Sequence, residues 1–200
     1  AAAATTVVFD KTGTLTEGKP SVTDVIAAEG VEKEDLIALA ATLERKSEHP
    51  LAQAIVAYAD AHFVDANPTS VRVAQTQSEK NAELTDFMQI AGGGLTATLA
   101  GLKIAAGNRR LMEQEGVDLG SLEASANALA SDAKTPLFFA RDGKLIGIIA
   151  VADTIKPTSA KTILKLRAMG IQSIMLTGDQ KTTAAVIGKK LNVDRVISDV

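Results

Sequence analysis

The 200-residue chain is predicted to be α/β, an interrupted parallel unit with an α+β domain inserted into it. Three observations carry this. Val7, Val8 and Phe9 form a short apolar run that ends at Asp10, the composition of a strand buried on both faces. Near the other end, Ile171 to Leu176, Lys181 to Leu191 and Arg195 to Ile197 alternate as strand, helix and strand, a pattern that requires parallel pairing and a right-handed crossover. Between them lie paired strand signals joined by tight-turn dipeptides, which call for an antiparallel sheet. The boundaries expected are 1–20 and 150–200 for the interrupted unit and 21–149 for the insertion.

Taken in order, Ser21 to Ile26 alternates as a strand leaving the first unit. Glu34 to Glu44 carries Leu36, Leu39, Ala40 and Leu43, the spacing of one apolar helix face. Pro50 suits the first position of a second helix running to about Ala61, because its missing N–H is not needed there. Val64 to Ile90 is polar and aperiodic and reads as a loop or hairpin. Leu95–Leu99 and Leu102–Ala106 flank Ala100-Gly101 as a hairpin. Asn108–Glu115 and Ser121–Ser131 are expected helices, the first stopped by Gly116. Asp142-Gly143 between Leu137–Ala140 and Leu145–Val151 is a type I′ hairpin signal. Lys156-Pro157 opens a helix closed by Met169-Gly170.

Composition excludes several classes. With 46% hydrophobic and 22% charged residues the chain is globular rather than disordered. A net charge of −3 offers no basic surface for nucleic acid, and five Phe, one Tyr and no Trp leave little to stack on bases. There is no cysteine, hence no disulfide framework and no thiolate metal site. No apolar run approaches the ~20 residues that span a bilayer.

Four clusters carry chemistry. Asp10 sits where α/β sheets place reactive groups, at the carboxyl end of a strand, and a carboxylate can accept a phosphoryl group covalently. A lone Asp there also serves simply to cap a turn. The full string Asp10-Lys11-Thr12-Gly13-Thr14-Leu15-Thr16, however, resembles the phosphorylation signature of the P-type ion-pumping ATPases, within the haloacid-dehalogenase superfamily. The resemblance implies a haloacid-dehalogenase-like (Rossmann-like) phosphorylation domain around an inserted nucleotide-binding domain. It makes Asp10 the residue phosphorylated by ATP, with Mg²⁺ held by Asp10 and the Thr12 carbonyl. Soluble relatives carry a second Asp two positions after the nucleophile; Thr12 stands there, so a longer-lived phosphoenzyme is expected.

Met175-Leu176-Thr177-Gly178-Asp179 is a strand-to-helix turn able to present N–H groups to phosphate, or a plain structural turn. It resembles the second phosphate-binding motif of the same family, with Gln180 where Asn is usual. The implied catalytic set is Asp10, Lys11, Thr12, Thr177 and Asp179. Ser47-Glu48-His49-Pro50-Leu51-Ala52 resembles the His-Pro signature of the heavy-metal branch, which implies that His49 and Glu44 line an adenine pocket; alternatively His49 only caps a helix. Gly92-Gly93-Gly94 stands where that branch carries a Gly-x-Gly at the nucleotide, with Gly93 in place of a frequent Lys; glycines there also serve turns. Gly107 and Asn108 match a further stretch of the nucleotide domain, and Asp153, in Asp153-Thr154-Ile155-Lys156-Pro157, the return hinge whose Asp contacts ribose.

The resemblance implies the cytosolic ATP-binding and phosphorylation region of a heavy-metal pump, copper(I) being favoured and zinc, cadmium or lead the alternatives. The family's later Lys and Gly-Asp-Gly…Asn-Asp elements are not in the sequence. The expectation is therefore a piece of a larger membrane protein, whose transmembrane helices, actuator domain and metal site lie outside it, and which alone binds ATP with little turnover. Two rivals are a soluble phosphohydrolase of the same superfamily and a non-catalytic nucleotide-binding module.

Overall fold

The computed structural model describes residues 5–62 and 84–200. The chain forms two compact units: Ala1–Pro20, Ala130–Ala133 and Ala152–Val200 make the first, and Ser21–Leu129 with Lys134–Val151 the second.

In the first unit, β1 (Thr6–Asp10), β8 (Gln172–Leu176) and β9 (Arg195–Ile197) form a parallel sheet in the order β1-β8-β9. The register pairs Phe9 with Met175 and Asp10 with Leu176, so the turns after β1 and β8 leave the same edge. Helices α5 (Ser159–Ala168) and α6 (Lys181–Leu191) bury Ile163, Ala184, Ile187 and Leu191 against Met175, Leu15 and Phe9. The expectation that β1 is buried on both faces is not met: Val8 is 57% exposed. The helices cover the face that Phe9 shares with Met175, and Val8 points to the other. Asp194 ties the start of β9 back to β8, accepting hydrogen bonds from the Ser173 amide and hydroxyl at 2.8 and 2.9 Å.

The second unit is built on a six-stranded sheet in the order β2-β7-β6-β5-β4-β3, with β2 (Thr16–Ala27), β3 (Leu84–Ile90), β4 (Gly94–Leu99), β5 (Leu102–Gly107), β6 (Thr135–Arg141) and β7 (Lys144–Ile155). The pairs from β3 to β7 are antiparallel. On one face, α1 (Lys33–Glu44) and α2 (Pro50–His62) pack Leu36, Leu39, Leu43 and Ile55 against Leu95, Ile104, Phe139 and Ile149. On the other, α3 (Arg109–Gln114) and α4 (Leu122–Ser131) pack Leu111, Met112 and Leu129 against Ala105, Phe138 and Ile148. Phe138 and Phe139 thus enter opposite cores, because successive strand residues face opposite ways. Two covered faces also explain why β6 and β7 read as continuous apolar runs rather than as alternation.

Several boundaries move. β2 begins at Thr16 rather than Ser21 and pairs with β7, and α5 begins at Ser159, two residues after Pro157. Of the stretch read as loop or hairpin, residues 64–83 lie outside those described, while Leu84–Ile90 is the edge strand β3. A register shift between Thr85 and Met88, with Asp86 at φ 50°, breaks its alternation, which is why periodicity does not reveal it.

Candidate active and nucleotide sites

Asp10 is the last residue of β1 and is exposed. Beyond it the chain turns sharply: Thr12 is extended (φ −75°, ψ 122°) and Gly13 left-handed (φ 75°). The Thr12 amide reaches back to Asp10 Oδ1 at 3.3 Å, leaving the other carboxylate oxygen uncommitted by that turn. What holds the turn in shape comes from far along the chain. The buried Thr16 hydroxyl accepts from the Gly13 amide (3.3 Å) and donates to Asp153 Oδ2 at 2.6 Å. The Gly18 amide takes the other oxygen of Asp153 at 2.8 Å. Lys156 Nζ donates to Gly13 O and Ser159 Oγ to Leu15 O, at 2.7 and 2.8 Å.

Lys11, only 8% exposed, extends towards the turn after β8, where its Nζ lies 2.9 Å from Asp179 Oδ2. The contact is an ion pair whose angles fall outside hydrogen-bond geometry. Thr177 is buried, and its hydroxyl accepts from the Asp179 amide at 3.1 Å. Asp10, Lys11, Thr177 and Asp179, 169 residues apart at the extremes of the numbering, therefore meet at one sheet edge. The exposed Asp10 carboxylate is a hard oxygen donor of the kind that suits Mg²⁺. Among the described residues there is no cluster of three or more His, Cys, Asp or Glu that would hold a metal by themselves.

The second unit contains a pocket of about 320 Å³. Glu44, His49, Gly92, Gly94, Gly107 and Asn108, all predicted from sequence, line it. Leu51, Ile90, Leu95 and Leu137 supply apolar walls, the setting in which a flat heteroaromatic ring is held by a few polar groups. Ser47, the first residue of the His-Pro string, lines it too, as do Gln89 and Thr135, which were not foreseen, since nothing in their local sequence distinguishes them.

The glycines have different tasks. A Cβ on Gly94 would lie 2.0 Å from Ala106 O, and one on Gly107 would lie 2.2 Å from Gly93 O. Both let β4 and β5 close on the preceding turn. At Gly92 (φ 63°) a Cβ would meet only Arg110 Nη2, at 3.4 Å. Asn108 staples the turn to α3: Oδ1 caps the helix by accepting from the Leu111 amide, and Nδ2 donates to Gly92 O at 2.8 Å. Arg110 adds a bond to Ala91 O at 3.0 Å.

His49 Nδ1 accepts from the Leu51 amide at 3.2 Å, so the ring does cap α2. In the neutral ring this places the proton on Nε2 as a donor. Glu44, the last residue of α1, is 7% exposed. Burial alone raises its carboxyl from the ordinary 4.5 to about 7, since loss of solvent penalises the charged form. Asp153 does not line this pocket; its carboxylate is committed to Thr16 and Gly18.

A parallel sheet with an aspartate closing its first strand and a Thr-Gly-Asp turn beside it belongs to a known class. The chain is a member of the haloacid dehalogenase-like hydrolase family, which matches residues 4–200. Within that family it is similar to P-type ATPases. It is 42% identical over 195 residues to the copper-transporting P-type ATPase of Rhizobium leguminosarum bv. viciae, covering 98% of this chain and 21% of that protein. The probable copper-exporting P-type ATPase of Archaeoglobus fulgidus is 42% identical over 198 residues, covering 98% of this chain and 22% of that protein. Among solved structures, a zinc-transporting PIB-type ATPase in the E2.Pi state superposes with a TM-score of 0.79 at 30% identity, over 98% of this chain and 29% of that one. The catalytic domain of the CPx-ATPase CopB-B does so with a TM-score of 0.61 at 25% identity, over 98% of this chain and 62% of that one. The chain spans about a fifth of the length of the curated relatives it matches. Among the described residues no helix is long and apolar enough to cross a membrane.

Proposed function

We propose that this chain is the ATP-binding and aspartyl-phosphorylation region of a heavy-metal-transporting P-type ATPase, a cytoplasmic part of a membrane protein. The observation that carries the reading is the pairing of Lys11 with Asp179 beside Asp10, in a chain where Thr12 replaces the second aspartate of the soluble phosphohydrolases. The first unit supplies the acceptor and the second the nucleotide pocket.

In the reaction, an Asp10 carboxylate oxygen attacks the γ-phosphorus of ATP. The bond from that phosphorus to the β–γ bridging oxygen breaks, and ADP leaves with the electron pair. Such transfers depend on positioning and on neutralising charge at the phosphoryl oxygens. Thr16 and Asp153 keep the Asp10 turn in one shape, and Lys11 brings positive charge to the same edge. The Asp10 carboxylate and the Thr12 carbonyl are the groups that would hold Mg²⁺, whose chemistry is to neutralise phosphate charge. Glu44 and His49 read the base, and Gly92 lets the nucleotide lie against the main chain. Copper(I) is the proposed cargo, in keeping with the printed names of the relatives; zinc, cadmium and lead are the alternatives. The cargo site, the transmembrane helices and the actuator domain are partners outside this chain.

The test is an NMR titration with ATP, without and with Mg²⁺, beside a His49→Gln variant. The reading expects shifts centred on Glu44, His49 and Gly92–Gly94, weakened in the variant. Perturbation confined to Asp10 and Thr177 would instead favour a phosphohydrolase without an adenine pocket.

A further inference from the structure

Glu44 is a carboxyl group lining a pocket, almost withdrawn from water, and among the described residues no cation is paired with it there. The polar side chains that share the pocket with it are Ser47 and His49 from the loop before α2, Gln89 from β3, Asn108 from the start of α3 and Thr135 from β6, and the rest of the lining is apolar side chains and glycines. Of these only His49 can carry charge. Arg45, the next residue in the chain, is turned away into an ion pair with Asp60. A carboxylate left in such a place is penalised by lost hydration with nothing to offset it.

We propose that Glu44 reads the base as a neutral carboxylic acid, so that binding of an adenine nucleotide requires a proton on Glu44 and the same proton selects adenine over guanine. This rests on the reading of the pocket as the nucleotide site. The chemistry follows from donor and acceptor counts. A carboxylate only accepts hydrogen bonds, whereas the acid both donates and accepts. Adenine offers an exocyclic N–H donor beside a ring-nitrogen acceptor, which match the C=O and O–H of the acid. The carboxylate would set an oxygen against that ring nitrogen. Guanine presents two adjacent donors, N1–H and the exocyclic amine, which match the carboxylate. Burial of Glu44, which raises its carboxyl to about 7, puts both forms within reach near neutrality.

The experiment is calorimetric titration of the chain with adenosine and with guanosine from about pH 5.5 to about pH 8, above the ionisation of adenine N1 and below that of guanine N1–H. Nucleosides are used because phosphate groups ionise in that range. Above about pH 7, adenosine affinity is expected to fall, approaching tenfold per pH unit, while guanosine affinity does not. Near pH 7, proton uptake on adenosine binding is expected as a heat that varies with the ionisation enthalpy of the buffer. Glu44→Gln keeps an acceptor and a donor without charge, so its adenosine affinity should stay within about threefold of the low-pH value and lose its pH dependence. His49→Gln should keep the slope. A flat profile with full affinity at high pH, or a slope that vanishes in His49→Gln and survives in Glu44→Gln, overturns the proposal. Absence of adenosine binding at every pH overturns the nucleotide-site reading and the proposal with it.

Discussion

Thr16 Oγ1 lies 2.6 Å from Asp153 Oδ2, a contact between residues 137 positions apart in the chain. It joins the turn after β1 to the segment through which the chain returns from the second unit. The remaining oxygen of Asp153 holds the Gly18 amide, so one carboxylate fixes both ends of a short backbone excursion.

Removing that carboxylate should loosen the first unit. Asp153→Ala leaves the Gly18 amide without its partner and the buried Thr16 hydroxyl with only the Lys11 carbonyl, 3.0 Å away, to donate to, a loss of about 1–3 kcal/mol. Urea denaturation followed by the amide signals of β1 and β8 would measure it. Thr16→Val also removes two bonds, the one to Asp153 and the one from the Gly13 amide, and should cost a similar amount.

The pair between Lys11 and Asp179 gives a second prediction. Asp179→Ala strands a lysine that is 8% exposed, and a buried charge left without its partner costs on the order of 1–3 kcal/mol or more. Asp179→Asn, which keeps the shape and a polar oxygen, should fall between the two. Thermal unfolding of the three proteins at one pH tests the order; equal stabilities would show that the pair is not formed in solution.

Glycine substitutions should separate packing from ligand approach. Gly94→Ala forces a Cβ to 2.0 Å from Ala106 O, which the backbone can relieve only by opening β4 from β5, at a cost of at least about 3 kcal/mol. Gly92→Ala meets no backbone atom and pays mainly for its positive φ, about 1 kcal/mol. Denaturation midpoints distinguish the two. The Gly92 variant should then remain folded and bind ATP more weakly.

Glu44 makes stability depend on pH with a definite sign. Its carboxyl lies at about 7 in the folded protein against an ordinary 4.5, so between these values the folded state binds more protons than the unfolded one. Stability therefore falls as pH rises from about 4.5 to about 7 and is level above, by up to about 3 kcal/mol at 1.36 kcal/mol per unit. Glu44→Gln should remove that fall and be the more stable protein at pH above about 7. Chemical denaturation of both proteins across the range measures the difference. Asp194 works oppositely. The Ser173 amide and hydroxyl, with Arg167, hold its carboxyl below the usual range, so its contribution is present above that range and lost as pH falls through the lowered value.

How much of this was legible beforehand depends on the distance over which each feature is encoded. The hairpin at Asp142-Gly143, the helices ending at Glu44 and beginning at Pro50, and the strand–helix–strand run after Ile171 are written in spacings of two to eleven residues. So are the strings around Asp10, His49 and Thr177. Periodicity and short motifs therefore place them. The edge strand β3 escaped because a bulge interrupts its alternation, and the exposure of Val8 escaped because a strand's composition does not say which of its faces a helix will cover.

By itself, then, the sequence determined the order of elements, the insertion of one unit within another and the place of Asp10 at the end of the first strand. Tertiary structure alone decided that Asp153 serves Thr16 and Gly18, that Gly94 and Gly107 are small for the sake of neighbouring strands, and that Glu44 is buried with no counter-ion among the described residues. Each of these depends on segments brought together across tens of residues, where desolvation and steric contact act on atoms and leave no local trace in the order of the amino acids.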